Sequence, residues 1–289
     1  MNSMLNGQKN GTCHKNGGTD FLYRPRERHT RSVVWVGDKA VGDKKPFLIA
    51  GPCAVESEDS FLRIAAICKG AGADALRGGA FKPRSSPYSF QGLGEDGLKI
   101  MAAGREALGL PFCTEVLDTR DVELVARYAD VLQIGARNMQ NYALLTEAGR
   151  TGLPVLLKRG LGATVQEWLQ AAEYVLAAGN DQVILCERGI RTFEPSTRYT
   201  LDVAAVPVVL HESHLPVIID PSHAAGKRHL VAALARAGIA AGAHGLIVEV
   251  HDNPAEAECD GAQALLPDDL RALAGDVARV AAACIPVSD

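Results

Sequence analysis

Four residues of this chain have the side-chain types of a divalent metal site: Cys53, His223, Glu249 and Asp260. A thiolate, an imidazole and two carboxylates suit manganese, iron, cobalt or zinc better than magnesium or calcium, which prefer all-oxygen shells. A second group is cationic: Arg77, Lys82, Arg84, Arg137, Lys158 and Arg188. Six such charges gathered in one mouth would repel one another unless they share anions. Guanidinium forks match phosphate and carboxylate oxygens, and lysine adds a compact charge. The expected ligand of that group is therefore a multiply charged anion carrying phosphate. Glu115 could pair with an arginine or move a proton. Taken singly, each residue has a bland explanation as a packing thiol or a surface ion pair. The chemistry depends on whether the fold gathers them.

The elements that would do so are legible as a rhythm. Apolar runs occur at 47–51 (FLIAG), 73–79, 111–116, 131–135, 154–160, 183–189, 216–222 and 245–251. Between them lie Ala-, Leu- and Glu-rich segments with helical spacing, such as TVQEWLQAAEYVLAAG at 164–179. Buried strands alternating with helices predict a parallel sheet, and eight such units predict an α/β fold closed as a single (β/α)8 barrel. An open doubly wound sheet is the weaker alternative, because no GxGxxG follows the first run. Chemistry in such barrels sits at the C-terminal ends of the strands. Every residue named above falls at or just beyond such an end. Strands seven, eight and one become neighbours on closure, and they carry the four metal-type residues. A thiol thus ends the first strand because that strand borders the two that supply the other ligands.

Ahead of the barrel, SVVWVGDKAVG at 32–42 predicts a β-hairpin turning at Gly37-Asp38. Residues 1–31 are polar and aperiodic and are expected to form a flexible arm, with 32–289 as the catalytic barrel domain. Cys13 and His14 in that arm have no partner ligands and are expected to be solvated. The last helix is expected at 267–284, opened by Pro-Asp-Asp. HESH at 211–214 lacks the spacing of a zinc HExxH helix and precedes the seventh strand, so it belongs to the opposite face.

The 289 residues carry a formal charge of -4, which points to neither a nucleic-acid nor a membrane-surface partner. No apolar run reaches the ~20 residues of a membrane span. No apolar signal region opens the chain. Seven cysteines at irregular spacing, without CxxC, argue for free thiols and a cytoplasmic enzyme rather than a disulfide framework.

The segments GPCAVES, RGGAFKPRSSPYSFQGLG, QIGARNMQNYALL, LLKRG, LCERGIRTFE, DPSHAAGKR and VEVHDNPAEAECDGAQAL resemble 3-deoxy-D-arabino-heptulosonate 7-phosphate (DAHP) synthase, type I beta subgroup. The resemblance runs from about Val33 to Leu270. It implies a transferase that condenses phosphoenolpyruvate with erythrose 4-phosphate, the first step of the shikimate pathway to aromatic compounds. It implies a divalent ion, manganese before iron, cobalt or zinc, on Cys53, His223, Glu249 and Asp260. It implies phosphoenolpyruvate on Arg77, Lys82, Arg137, Lys158 and Arg188, and the aldose phosphate on Arg84 and Ser85. Lys82, Glu115, Lys158 and His223 are the expected catalytic side chains. A homodimer or homotetramer is implied as well.

Rival readings are the sister 3-deoxy-D-manno-octulosonate 8-phosphate synthase, a specialised-metabolism paralogue, and a non-catalytic barrel acting as a regulatory or binding subunit. The sister family carries a Lys-Ala-Asn-Arg type segment where this chain has Lys82-Pro83-Arg84-Ser85. No ligand or phosphate-binding cation is lost, which speaks against the non-catalytic reading. Cys259 stands where the family usually has serine, and a thiol there could oxidise with Cys53. The short arm leaves no room for a ferredoxin-like regulatory domain, and no chorismate-mutase-like segment follows the barrel. Feedback by single aromatic amino acids is accordingly not expected.

Overall fold

The computed structural model describes residues 20–25, 31–83, 86 and 88–284. Eight parallel strands close a barrel: β3 (Phe47–Gly51), β4 (Ala75–Arg77), β5 (Phe112–Glu115), β6 (Val131–Ile134), β7 (Val155–Lys158), β8 (Val183–Glu187), β9 (Val217–Ile219) and β10 (Gly245–Glu249), with β10 pairing back onto β3. Each observed strand lies within one of the apolar runs. The antiparallel hairpin β1 (Val34–Val36) and β2 (Lys39–Val41) precedes them, turning on Gly37 at φ 63°.

Strand alternation organises everything that follows. Successive side chains point to opposite faces of the sheet. Phe47, Ile49, Ala75, Cys113, Val131, Leu156, Ile184, Cys186, Ile218 and Ile247 form one buried cluster with Val34, Val36 and Val41 of the hairpin. That cluster is the lower barrel interior, and the hairpin stoppers it. The intervening residues, including Leu48, Ala50, Leu76, Leu132, Leu157 and Leu185, belong to the larger core beneath the helices. One step up each strand, the inward parity reaches Arg77, Glu115, Gln133, Lys158, Arg188, Asp220 and Glu249. A dry apolar plug therefore carries a polar crown.

The helices follow their sequence signals. Helix α5 (Val165–Ala177) starts with a capping box between Thr164 and Glu167, and α9 (Pro267–Ala283) has Pro267 in its first turn. Both sit where helical spacing predicts them. Among the described residues no helix is long and apolar enough to cross a membrane. Six described cysteines are free thiols. Burial pushes Cys68 and Cys113 up to about 12, so both are inert.

Of residues 1–31, those at 20–25 and Arg31 are described, and they are tied to the barrel. Tyr23 is buried, and the Leu22 and Tyr23 amides donate to the Glu173 carboxylate at 2.8 and 3.1 Å. Ser213 Oγ and the His214 amide donate to the Tyr23 carbonyl. The polar composition of the segment hides this docking, because one tyrosine and backbone hydrogen bonds supply it. Cys13 and His14 lie outside the described residues. His211 is exposed on helix α6 (Ala205–Glu212), and His214 pairs with Ser32 Oγ beside the hairpin, away from the crown.

His244 accepts from the Val217 amide through Nδ1 at 3.1 Å, and burial first, with the Arg31 charge, holds its pKa below the ordinary value. The unfolded chain takes up a proton near pH 6.5 that the folded chain refuses. Stability from this group is complete above that pH and is lost as pH falls, at up to about 1.4 kcal/mol per unit until the folded His244 itself titrates. Melting temperatures measured from pH 7.5 to 5 should show that slope, and His244→Gln should reduce it, leaving the share of the other buried histidine, His223, whose pKa is also lowered.

Candidate active site

Strands β9, β10 and β3 bring the four metal-type residues together. One ligand atom each from Cys53, His223, Glu249 and Asp260 lies within 4.8 Å of every other. His223 Nε2 is 3.2 Å from Glu249 Oε1 and 3.9 Å from Asp260 Oδ2, and Cys53 Sγ is 3.5 Å from Asp260 Oδ2. Ligands at ~2.0–2.3 Å around one tetrahedral ion are ~3.3–3.8 Å apart, so the spacing fits a single cation. Glu249 is fully buried, and its Oε1 has no hydrogen-bond partner. Two carboxylates and a thiol this close need positive charge between them.

Protonation agrees with that role. Burial pushes Glu249 and Asp260 up, but opposing charges outweigh it and hold both below the ordinary carboxylate value. His223 and Arg77 do so for Glu249, and Arg198, His223 and Lys82 for Asp260. Burial lowers His223, against the raising effect of Asp220 and Glu249. The two carboxylates are thus in their ligand form. Cys53 is pushed up by its hydrogen bond with Cys259 and then by burial, so its ionisation calls for a cation at the cluster. Cys259 is buried against Cys53, Ala54 and Phe90.

Local backbone explains the aim of these ligands. Helix α7 (Pro221–Ala225) is capped by Asp220, whose Oδ1 accepts the His223 amide. Asp220 Oδ2 lies 2.7 Å from His223 Nδ1, which turns Nε2 toward the cluster. Asp260 is the one described non-glycine residue at positive φ, 53°. Aspartate tolerates that left-handed turn better than most residues. Gly51 lets β3 pass β4 closely before Pro52-Cys53, since a Cβ there would come 2.1 Å from the Arg77 carbonyl oxygen. Gly51→Ala should cost roughly 3 kcal/mol and weaken metal binding together, because relief of the clash moves Cys53. Thermal melts and a manganese titration of the same preparation check both halves.

Beside the cluster opens a cavity of about 310 Å³ lined by Arg77, Lys82, Glu115, Arg137, Lys158 and Arg188 among others. Five of the six expected cations meet there. Arg84 and Ser85 lie outside the described residues. Arg77 Nη1 is ion-paired with Glu249 Oε1 at 3.1 Å, while Arg77 Nε and Arg188 Nη1 are buried without hydrogen-bond partners, which leaves donors for an anion. Lys82 Nζ reaches Cys53 Sγ at 3.2 Å and the Cys53 carbonyl at 3.0 Å, standing between cluster and cavity. Burial works against its charge, but Cys53, Cys259 and Glu249 outweigh it and raise its pKa. Lys158 Nζ donates to Asp220 Oδ2 at 2.5 Å, and Asp220 is held well below its ordinary value by His223 and Lys158 despite burial.

Alternation also turns other charged residues near the strand ends away from the crown. Arg159 turns outward and pairs with Glu187 at 2.9 Å and Asp202 at 2.8 Å, while its neighbours Lys158 and Arg188 turn inward. His251 packs near Glu56 and Asp252, not against the cluster. Sequence reading gave no site role to Asp220, Arg198, Tyr199 or Gln263. Asp220 had a signal, as a carboxylate closing an apolar strand. Arg198 and Tyr199 sit in a loop and Gln263 in a single 3-10 turn, none with a periodicity to read.

Residues 28–282 match the family model described as the DAHP synthetase I family. The chain belongs to that family. This DAHP synthetase family member is 52% identical over 241 residues to a phospho-2-dehydro-3-deoxyheptonate aldolase of Thermotoga maritima, an alignment covering 83% of this chain and 71% of the relative. It is 34% identical over 245 residues to a 2-dehydro-3-deoxyphosphooctonate aldolase of Syntrophobacter fumaroxidans, covering 78% of this chain and 84% of the relative. The crystal structure of the Thermotoga maritima DAHP synthase superposes with a TM-score of 0.88 at 48% identity, over 91% of this chain and 77% of that one. A truncated form of the enzyme from the same organism gives 0.84 at 44% identity, over 91% of this chain and 96% of that one.

Proposed function

We propose that this chain is a DAHP synthase, a cytoplasmic transferase that joins phosphoenolpyruvate to erythrose 4-phosphate and releases phosphate at the entry to the shikimate pathway. The observation that carries the reading is the adjacency of a mixed N/O/S cluster to a cavity lined by five of the expected cations, where Arg77 Nε and Arg188 Nη1 are buried without hydrogen-bond partners. The 52% identity to a heptonate aldolase, against 34% to an octonate aldolase, supports the four-carbon acceptor.

Arg77, Lys82, Arg137, Lys158 and Arg188 hold the phosphate and carboxylate of phosphoenolpyruvate by preorganised charge. Arg84 and Ser85 take the aldose phosphate. Cys53, His223, Glu249 and Asp260 hold the divalent ion, for which we place manganese ahead of iron, cobalt and zinc. A bound ion supplies Lewis acidity for the acceptor aldehyde. C3 of the enol attacks that aldehyde carbon, forming the new C–C bond. Lys82 gives a proton to the resulting alkoxide, which is more basic than any ammonium. Glu115 takes a proton from the water that adds to C2, and phosphate leaves with cleavage of its C–O bond. Water is shut out from below by the hairpin stopper, so reactants enter at the crown alone. A homodimer or homotetramer is the expected assembly, checked by light scattering against the 30.6 kDa chain.

The test is one assay with two acceptors. Metal-stripped protein receives phosphoenolpyruvate with erythrose 4-phosphate or arabinose 5-phosphate, with and without manganese. Phosphate release and loss of enol absorbance are followed. Manganese-dependent turnover with erythrose 4-phosphate alone is expected. Turnover with arabinose 5-phosphate would favour the octulosonate reaction, and turnover with neither would favour a binding subunit.

A further inference from the structure

Each carboxylate of the metal cluster has one oxygen already engaged. Glu249 Oε2 accepts from Gln263 Nε2 at 2.6 Å. Asp260 Oδ1 accepts from Arg198 Nη1 at 3.1 Å. The same Nη1 donates to Gln263 Oε1 at 3.1 Å, which closes an arc from Glu249 through Gln263 and Arg198 to Asp260. The remaining oxygens, Glu249 Oε1 and Asp260 Oδ2, are those that face His223 and Cys53, and Glu249 Oε1 also pairs with Arg77 Nη1 at 3.1 Å from the cavity side.

The arc has one orientation. Turning the Gln263 amide over would set its NH2 against a guanidinium and its carbonyl against a carboxylate. Gln263 is buried, in the 3-10 turn Gly261–Gln263 that follows Asp260. Arg198 packs on Tyr199, whose ring also lies 4.4 Å under the Arg188 guanidinium. The arc is thus braced from both sides and cannot relax by rotation of one side chain.

We propose that Gln263 and Arg198 are positioning residues that confine Glu249 and Asp260 to one ligand oxygen each, and so set which ions the site accepts. This rests on the metal-dependent function proposed above. With single oxygens from two carboxylates, one nitrogen and one sulfur, the chain offers four donors. That count serves a first-row transition ion with positions left for substrate or water. Calcium needs six to eight oxygens and often takes carboxylates through both, which the arc prevents.

The test uses the metal-stripped full chain, titrated with manganese and followed by the electron paramagnetic resonance of free ion. Calcium is then added as competitor, and cobalt serves as the spectroscopic probe of coordination number. In Gln263→Met, manganese should bind about 10- to 100-fold more weakly. Calcium should compete better than it does in wild type, and the cobalt d–d bands should weaken as coordination rises. Arg198→Met should act in the same direction through Asp260. Being on a part-exposed residue, it keeps the test decisive if the buried Gln263→Met misfolds. The double variant should fall short of the sum, since both residues belong to one arc. Wild-type manganese affinity, calcium competition and cobalt spectrum in a folded variant would overturn the proposal. A wild-type chain that binds no manganese would instead overturn the metal reading beneath it.

Discussion

Cys53→Ala is expected to abolish metal-dependent turnover while leaving the fold intact. The thiol is one of four donors, and the neighbouring Cys259 thiol is not among the four atoms that converge. Loss of affinity should exceed the ~10- to 100-fold that removing an outer-shell partner costs. The cost in stability should be about 1 kcal/mol, because a sulfur-sized volume is lost from a small satellite cluster and not from the main core. Manganese titration, turnover and a melting curve on one preparation separate these effects. Turnover at the wild-type level in metal-stripped buffer would remove the metal assignment.

Lys158→Met should lower kcat/KM for phosphoenolpyruvate by about 10²- to 10³-fold, the usual loss when a preorganised charge is removed from a reacting anion. It should also destabilise the fold, because Asp220 is fully buried and would keep only His223 as a close partner. Breaking a buried pair costs roughly 3–5 kcal/mol, and the remaining imidazole places this case at the lower end. The double variant Lys158→Met/Asp220→Asn removes the orphaned charge. Melting temperature should then recover in part while turnover stays lost. Recovery of both would reduce Lys158 to a structural partner.

The barrel, its hairpin and the four-donor cluster were legible from strand ends because alternating burial follows directly from backbone geometry. Strand parity gives the physical reason why Lys158 and Arg188 face the crown while Arg159 pairs outward with Glu187. Gln263 and Arg198 were not legible, since neither lies in a strand and a loop has no period to read. Their role emerges only where two distant loops meet at Asp260. The docking of Tyr23 was hidden for a related reason, as backbone hydrogen bonds leave little trace in side-chain composition.

The alternation that puts a polar crown on an apolar plug has a bearing on how such a chain can change over generations. Inserting or deleting a single residue within β7 would turn Lys158 outward and Arg159 inward, breaking the Lys158–Asp220 pair inside the barrel and the Arg159 pairs with Glu187 and Asp202 outside it. The same holds for each of the eight strands. Their lengths behave as a reading frame, open to substitution and closed to shifts. Insertions between the strands leave that frame unshifted, the loop that carries Lys82 after β4 included.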